Sequence, residues 1–120
     1  MVVIAVVLVA LVALEHVYIL VLEMFLWTKP AGLRAFGQTK EQAEAGKVLA
    51  ANQGLYNGFL AAGLIWGLLH PEATTGFQIK AFFLICILLA GLYGGYSVKP
   101  KIILVQAVPA LLALAALWFS

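Results

Sequence analysis

Four apolar segments, each close to the length of a bilayer-spanning helix, follow one another along this chain with polar punctuation between them. They run from about Val2 to Trp27, Lys47 to Leu69, Lys80 to Val98 and Lys101 to Phe119. A helix of ~20 residues crosses ~30 Å of hydrocarbon and satisfies its own backbone polar groups on the way. The alternative, one water-soluble core, fails on composition. Of the 120 residues 65% are hydrophobic and 10% charged, whereas roughly a quarter of an ordinary soluble domain is charged. The expected fold is therefore all-α: an integral membrane four-helix transmembrane bundle, with residues 1–120 forming a single four-span domain. No domain boundary, low-complexity tract or internal repeat interrupts it.

The punctuation sets the limits of each span. Pro30, Gly32 and Gly37 make residues 28–46 a loop that breaks the first helix. Within "TKEQAEAGKVL", Thr39 and Gln42 have the spacing of a capping box, which predicts a second helix starting near Lys40, outside the membrane. "LLHPEATTG" ends that helix, and "SVKPK" reads as a tight turn between the last two spans. The first segment has no basic leader region or clear cleavage site, and it continues to an interfacial Trp27. A cleaved signal peptide is therefore not expected. The first and third loops carry Lys29, Arg34, Lys40, Lys47, Lys99 and Lys101, against Lys80 alone on the other side. Positive loops stay cytoplasmic, so both termini are expected outside the cytoplasmic (inner) membrane. A formal charge of +2 is too small to suggest nucleic acid as a partner. Cys86, the only cysteine, excludes an intramolecular disulfide and reads as a small packing residue.

Against this apolar background the polar residues stand out. The stretch "LEHVYILVLEMFLW" places Glu15, His16 and Glu23 in the first span. Counting ~1.5 Å per residue from Trp27 puts Glu23 ~6 Å deep and His16 and Glu15 ~16–18 Å deep. Counting from Lys47 puts Asn52 and Gln53 at ~8–9 Å and Tyr56 and Asn57 at ~14–15 Å. Tyr93 and Gln106 each come out ~8 Å from the "SVKPK" turn. The expected upper layer is Glu23, Asn52, Gln53, Tyr93 and Gln106; the lower is Glu15, His16, Tyr56 and Asn57. His16 and Glu23, seven apart, share a face, as do Gln53 and Asn57, four apart. Exposed charge at such depth is costly, so the polar wedge of span one is expected to face the amides of span two. His70, beside Pro71, reads as interfacial, and Pro109 as a bend in span four.

Two longer motifs, "ALEHVYILVLEMFLW" and "KVLAANQGLYNGFLAAGL", together with "LYGGYSV" and "QAVPA", resemble a family of small bacterial integral membrane proteins, Domain of Unknown Function 1304. The likeness covers nearly the whole chain. It implies the fold class and carries no activity. The layout also resembles the membrane-associated eicosanoid and glutathione metabolism proteins, through "AANQGLYNGF" and "LYGGYS". Those proteins hold the glutathione anion with intramembrane arginines, and no span here contains one. A third likeness, to the small multidrug resistance transporters, rests on length, four helices and a first-helix glutamate, for which Glu15 is the counterpart. Their loops are short, and residues 28–46 are long.

These observations predict an uncharacterised membrane protein with a carboxylate–imidazole–amide pocket open to the cytoplasmic side. It would bind, or convert by acid–base chemistry, a hydrophobic or lipid-like small molecule. Glu15, His16 and Glu23 are the candidate catalytic groups: either carboxyl as general acid and the imidazole as base, or the set as a proton relay. Asn52, Gln53, Tyr56, Asn57, Tyr93 and Gln106 are the candidate ligand-binding groups. Two alternatives stand beside this: a proton-coupled exporter using Glu15, and a structural or assembly protein whose polar cluster sets helix register. The structural account weighs most on Asn52, Tyr93 and Gln106. With one intramembrane histidine the ligand count does not favour a metal or haem, and the sequence names no cofactor. Membrane lipid is the expected surrounding. The small-residue stripes Ala50–Gly54–Gly58–Ala62 and Gly91–Gly95 suit either helix packing or the seam of a homo-oligomer.

Overall fold

The computed structural model describes all residues, Met1–Ser120, and contains helices and turns but no strand. Helix α1 spans Val2–Met24, α2 Pro30–Phe36, α3 Lys40–Leu69, α4 Ala73–Ser97 and α5 Val108–Trp118, with a π-helical stretch, Ile103–Ala107, leading into α5. Two of these, α1 and α4, are long and apolar enough to cross a membrane. The chain divides into two compact units, one of Leu14–Ala61 and one of Met1–Ala13 with Ala62–Ser120.

In the first unit, the start of α3 forms as the capping box predicts. The Gln42 amide donates to Thr39 Oγ1 at 3.2 Å, and the Thr39 amide donates to Gln42 Oε1 at 3.0 Å. The loop before it is not featureless. Pro30 sits at the first turn of α2, where its missing N–H costs nothing, and Gly37 follows its end at φ 62, the left-handed conformation that glycine adopts freely. Residues expected to break structure are thus the start and stop of a short helix. Trp27 ties this region down. Its indole Nε1 donates to the Ala43 carbonyl at 2.9 Å, and its ring lies 4.8 Å from that of Phe36. The α1 and α3 segments of this unit run antiparallel: Gly54 lies against Glu23 and Met24, and Gly58 against Leu20.

In the second unit, α4 begins at Ala73, seven residues before the expected Lys80. His70 Nδ1 accepts from the Glu72 amide at 3.1 Å and the Thr75 hydroxyl donates to Glu72, so the turn closes locally and the next helix starts at once. Antiparallel packing continues, with Gly63 against Phe83, Gly91 against Ala107 and Gly95 against Ile103. Phe77 and Trp118 close the far end, with ring centroids 6.2 Å apart. Pro109 lacks the N–H that would bond the Val105 carbonyl, and its ring crowds that turn. The widened π turn lies just ahead of it, with the Val108 amide bonded to the Ile103 carbonyl.

The glycines of both stripes, with Ala50, therefore pack between helices of the same chain, while Ala62 is exposed. The buried apolar set is mostly small: Ala43, Ala50 and Ala61 in one unit, Ala107, Ala110, Ala113 and Ala116 in the other. Small side chains let backbones approach closely. A methyl at Gly91 would come within 2.6 Å of the Ala107 backbone nitrogen, whereas one at Gly46 would meet nothing within 4 Å. Gly91→Val is accordingly expected to destabilise the protein by ~1–3 kcal/mol through overpacking. Gly46→Ala, on the open side of α3, should stabilise it by ~0.5–1 kcal/mol through helix propensity. Thermal unfolding of the purified protein in mild detergent checks both signs.

Candidate functional site

Glu23 and Asn57 are brought together in the first unit. Asn57 Nδ2 donates to Glu23 Oε1 at 2.6 Å, and both residues are buried. Depth counted along the helix axes put these two in different layers, yet they meet, and the direction of the side chains explains it. Every helical Cα–Cβ bond tilts toward the helix N-terminus. Glu23 stands level with Gly54, and in an antiparallel pair its side chain leans toward Asn57 while that of Asn57 leans back toward Gly54. Glycine at 54 leaves the room for that approach.

The remaining candidates are distributed differently. His16 is fully buried, and its Nδ1 lies 3.8 Å from Glu15 Oε1. That is too long for a hydrogen bond, and within Coulombic reach when the imidazole carries a proton. Glu15 Oε1 is itself buried and has no hydrogen-bond partner. Asn52 is exposed and donates from Nδ2 to its own helix, at the Val48 carbonyl, 2.9 Å away. Gln53 and Tyr56 are also exposed, with the Tyr56 ring edge-on to Phe59 at 6.0 Å. Gln53 and Asn57 thus fall on either side of the buried boundary, although they are one turn apart. In the other unit, Tyr93 is exposed and its carbonyl accepts from the Ser97 hydroxyl at 2.7 Å; Gln106 is half-buried within the π turn.

Beside the Glu23–Asn57 pair lies a shallow, open cleft of about 360 Å³. Glu23 and Asn52 line it, together with Met24, Trp27, Thr28 and Lys47. The cleft was not foreseen as such, since Trp27 and Lys47 read in the sequence only as markers of the membrane edge. The four-residue spacing of Glu23 and Trp27 was the available signal; Lys47, five residues before Asn52, carries none of that kind. Lys47 Nζ lies 3.1 Å from Glu44, an exposed pair one turn apart. No three His, Cys, Asp or Glu side chains converge closely enough to hold a metal ion. Chemically, the arrangement offers a buried carboxyl fixed by an amide, beside an opening whose lining residues include Trp27, Thr28 and Lys47.

The class is thus an all-helical protein with two helices able to span a membrane and a buried carboxylate–amide pair joining two of its helices. Comparison with known proteins then places the chain. It belongs to the family of proteins of unknown function DUF1304, whose model matches residues 10–118. It is similar to the uncharacterized protein YpaA of Lactococcus lactis subsp. lactis (strain IL1403), at 39% identity over 99% of this chain and 100% of the relative. No solved structure matches it.

Truncating one partner of the pair leaves the other buried and unsatisfied. Asn57→Leu is expected to cost ~1–3 kcal/mol, while adding Glu23→Leu should return part of that loss, because no stranded carboxyl remains. Reversible unfolding in mixed detergent micelles, analysed as a double-mutant cycle, measures the coupling.

Proposed function

We propose that the chain is a four-span integral membrane protein of the bacterial cytoplasmic membrane, with both termini outside. We further propose that it binds a hydrophobic or lipid-like small molecule at the cleft beside Glu23. The four-span reading draws on an inverted distribution of side chains. Alanine supplies much of the buried apolar set, while Val3, Leu49, Phe59, Trp66, Leu69, Phe82, Leu89, Leu104 and Leu112 are exposed. Water penalises such a surface, and lipid tails match it. Helix α3 and the Lys101–Trp118 segment supply the second and fourth spans in this reading. Six of the seven Lys and Arg residues then fall on one side.

The observation that carries the site is the buried Glu23 carboxyl, held by Asn57 and lining an opening that also presents Trp27 and Lys47. A ligand with a polar head and an apolar body fits these walls: the head beside Glu23, Thr28 and Asn52, the body along Met24, Phe25 and Val48. Glu23 is the group placed to exchange a proton with that head. Glu15 and His16, lying roughly two turns deeper on α1, form a second ionisable pair.

The test uses Trp27 as reporter, with Trp66 and Trp118 replaced by Phe. A bromine-labelled single-chain amphiphile should quench Trp27 saturably in detergent, and Glu23→Gln should weaken this by about tenfold or more, the worth of a hydrogen bond to a charged group. Quenching that rises linearly, and equally in both proteins, would mean partitioning into the micelle and no site. Topology is read separately: a periplasm-active reporter at the C-terminus should be active, and a cytoplasm-active one silent.

A further inference from the structure

Gln53 is the one carboxamide of α3 left exposed with no partner inside the chain, and its surroundings point to what covers it. Leu49, Gln53 and Tyr56 follow one another at four- and three-residue spacing, so they lie along one side of the helix. Leu49 and Tyr56 are, like Gln53, exposed. The neighbouring Asn52 is already satisfied by the Val48 carbonyl. Asn57, one turn on, is spent on Glu23. Gln53 therefore stands ~9 Å below Lys47, on a face it shares with Leu49, Tyr56 and the Asn52 amide that its own helix already satisfies.

We infer that this face of α3 is the seam at which a second copy of the chain docks, with Gln53 of each copy bonding Gln53 of the other. The inference rests on the four-span reading. Lipid tails offer neither donor nor acceptor, so an isolated amide at this depth is unfavourable. A carboxamide carries both, and two of them form a reciprocal pair of hydrogen bonds. Membrane insertion supplies the register. Copies inserted in the same direction are related by an axis along the membrane normal, so each residue near that axis faces its own counterpart at its own depth. A glutamine answered by a glutamine is thus satisfied by symmetry alone. Tyr56, one turn deeper, adds aromatic area to the same seam, and Leu49 closes it at the headgroup level.

The experiment is oxidative cross-linking in native membranes, in a Cys86→Ser background so that each introduced cysteine is the only one. Gln53→Cys and Tyr56→Cys should form a disulfide-linked dimer. Leu92→Cys, exposed on α4 at a similar number of residues from the membrane edge, should not. In detergent, Gln53→Leu should weaken self-association by roughly tenfold or more, as for two lost interhelical hydrogen bonds, while Gln53→Asn, which keeps the amide, should retain most of it. Equal cross-linking at all three positions would signify random collision and overturn the seam. So would an adduct of any mass other than twice the chain. If the protein stays in membranes after alkaline carbonate washing yet gives no dimer, the seam is wrong and the four-span reading stands. Release by the wash would overturn both.

Discussion

The hydrogen bond from Asn57 to Glu23 sets the register of α1 against α3, and most of what is distinctive in this part of the molecule depends on it. A bare carboxyl among apolar side chains is expensive, so the two helices are held at the relative shift that lets the amide reach it. That shift places Gly54 against Glu23 and Met24, where a larger residue would crowd the facing helix, and Gly58 against the Leu20 side chain. It also sets the rotation of α3. With Asn57 turned inward, Ala43, Ala50 and Ala61 are buried along the same side of the helix, and Asn52, Gln53 and Tyr56 turn outward.

The same economy runs through the second unit, where small residues do the packing. Ala107, Ala110, Ala113 and Ala116 form the buried side of the last helical stretch, while Leu104, Leu111 and Leu112 point away. A soluble helix sorts its residues the other way. This inversion gives the four-span proposal its physical basis, with α1 and α4 as the two helices that already meet the length and apolarity a membrane requires. The family and the 39% identical relative attach no activity to the chain.

Much of the helical layout was legible in the sequence because its signals are local. Thr39 and Gln42 announced the start of α3, and each bonds the partner that the spacing implies. The small-residue stripes announced close packing. Other elements were missed for equally local reasons. Pro30 and Gly37 were read as breakers of one helix when they bound another, since the same residues serve both purposes. "EATTG" looked like the tail of a turn, whereas α4 already runs from Ala73. Pro109 suggested a bend, and the local response is a widened turn over Ile103–Ala107 just ahead of it.

The sequence by itself determined that the chain is helical, where most helices begin and end, and which few polar residues must find partners among apolar ones. Those properties follow from residue type and spacing along a single helix. Which partner each polar residue takes was decided only by tertiary structure. Residue counts locate Cα atoms along an axis, whereas a hydrogen bond depends on where two side-chain tips converge, and in an antiparallel pair both lean toward each other. That lean carried Glu23 past Asn52 and Gln53 to Asn57, and it left Gln53 facing outward.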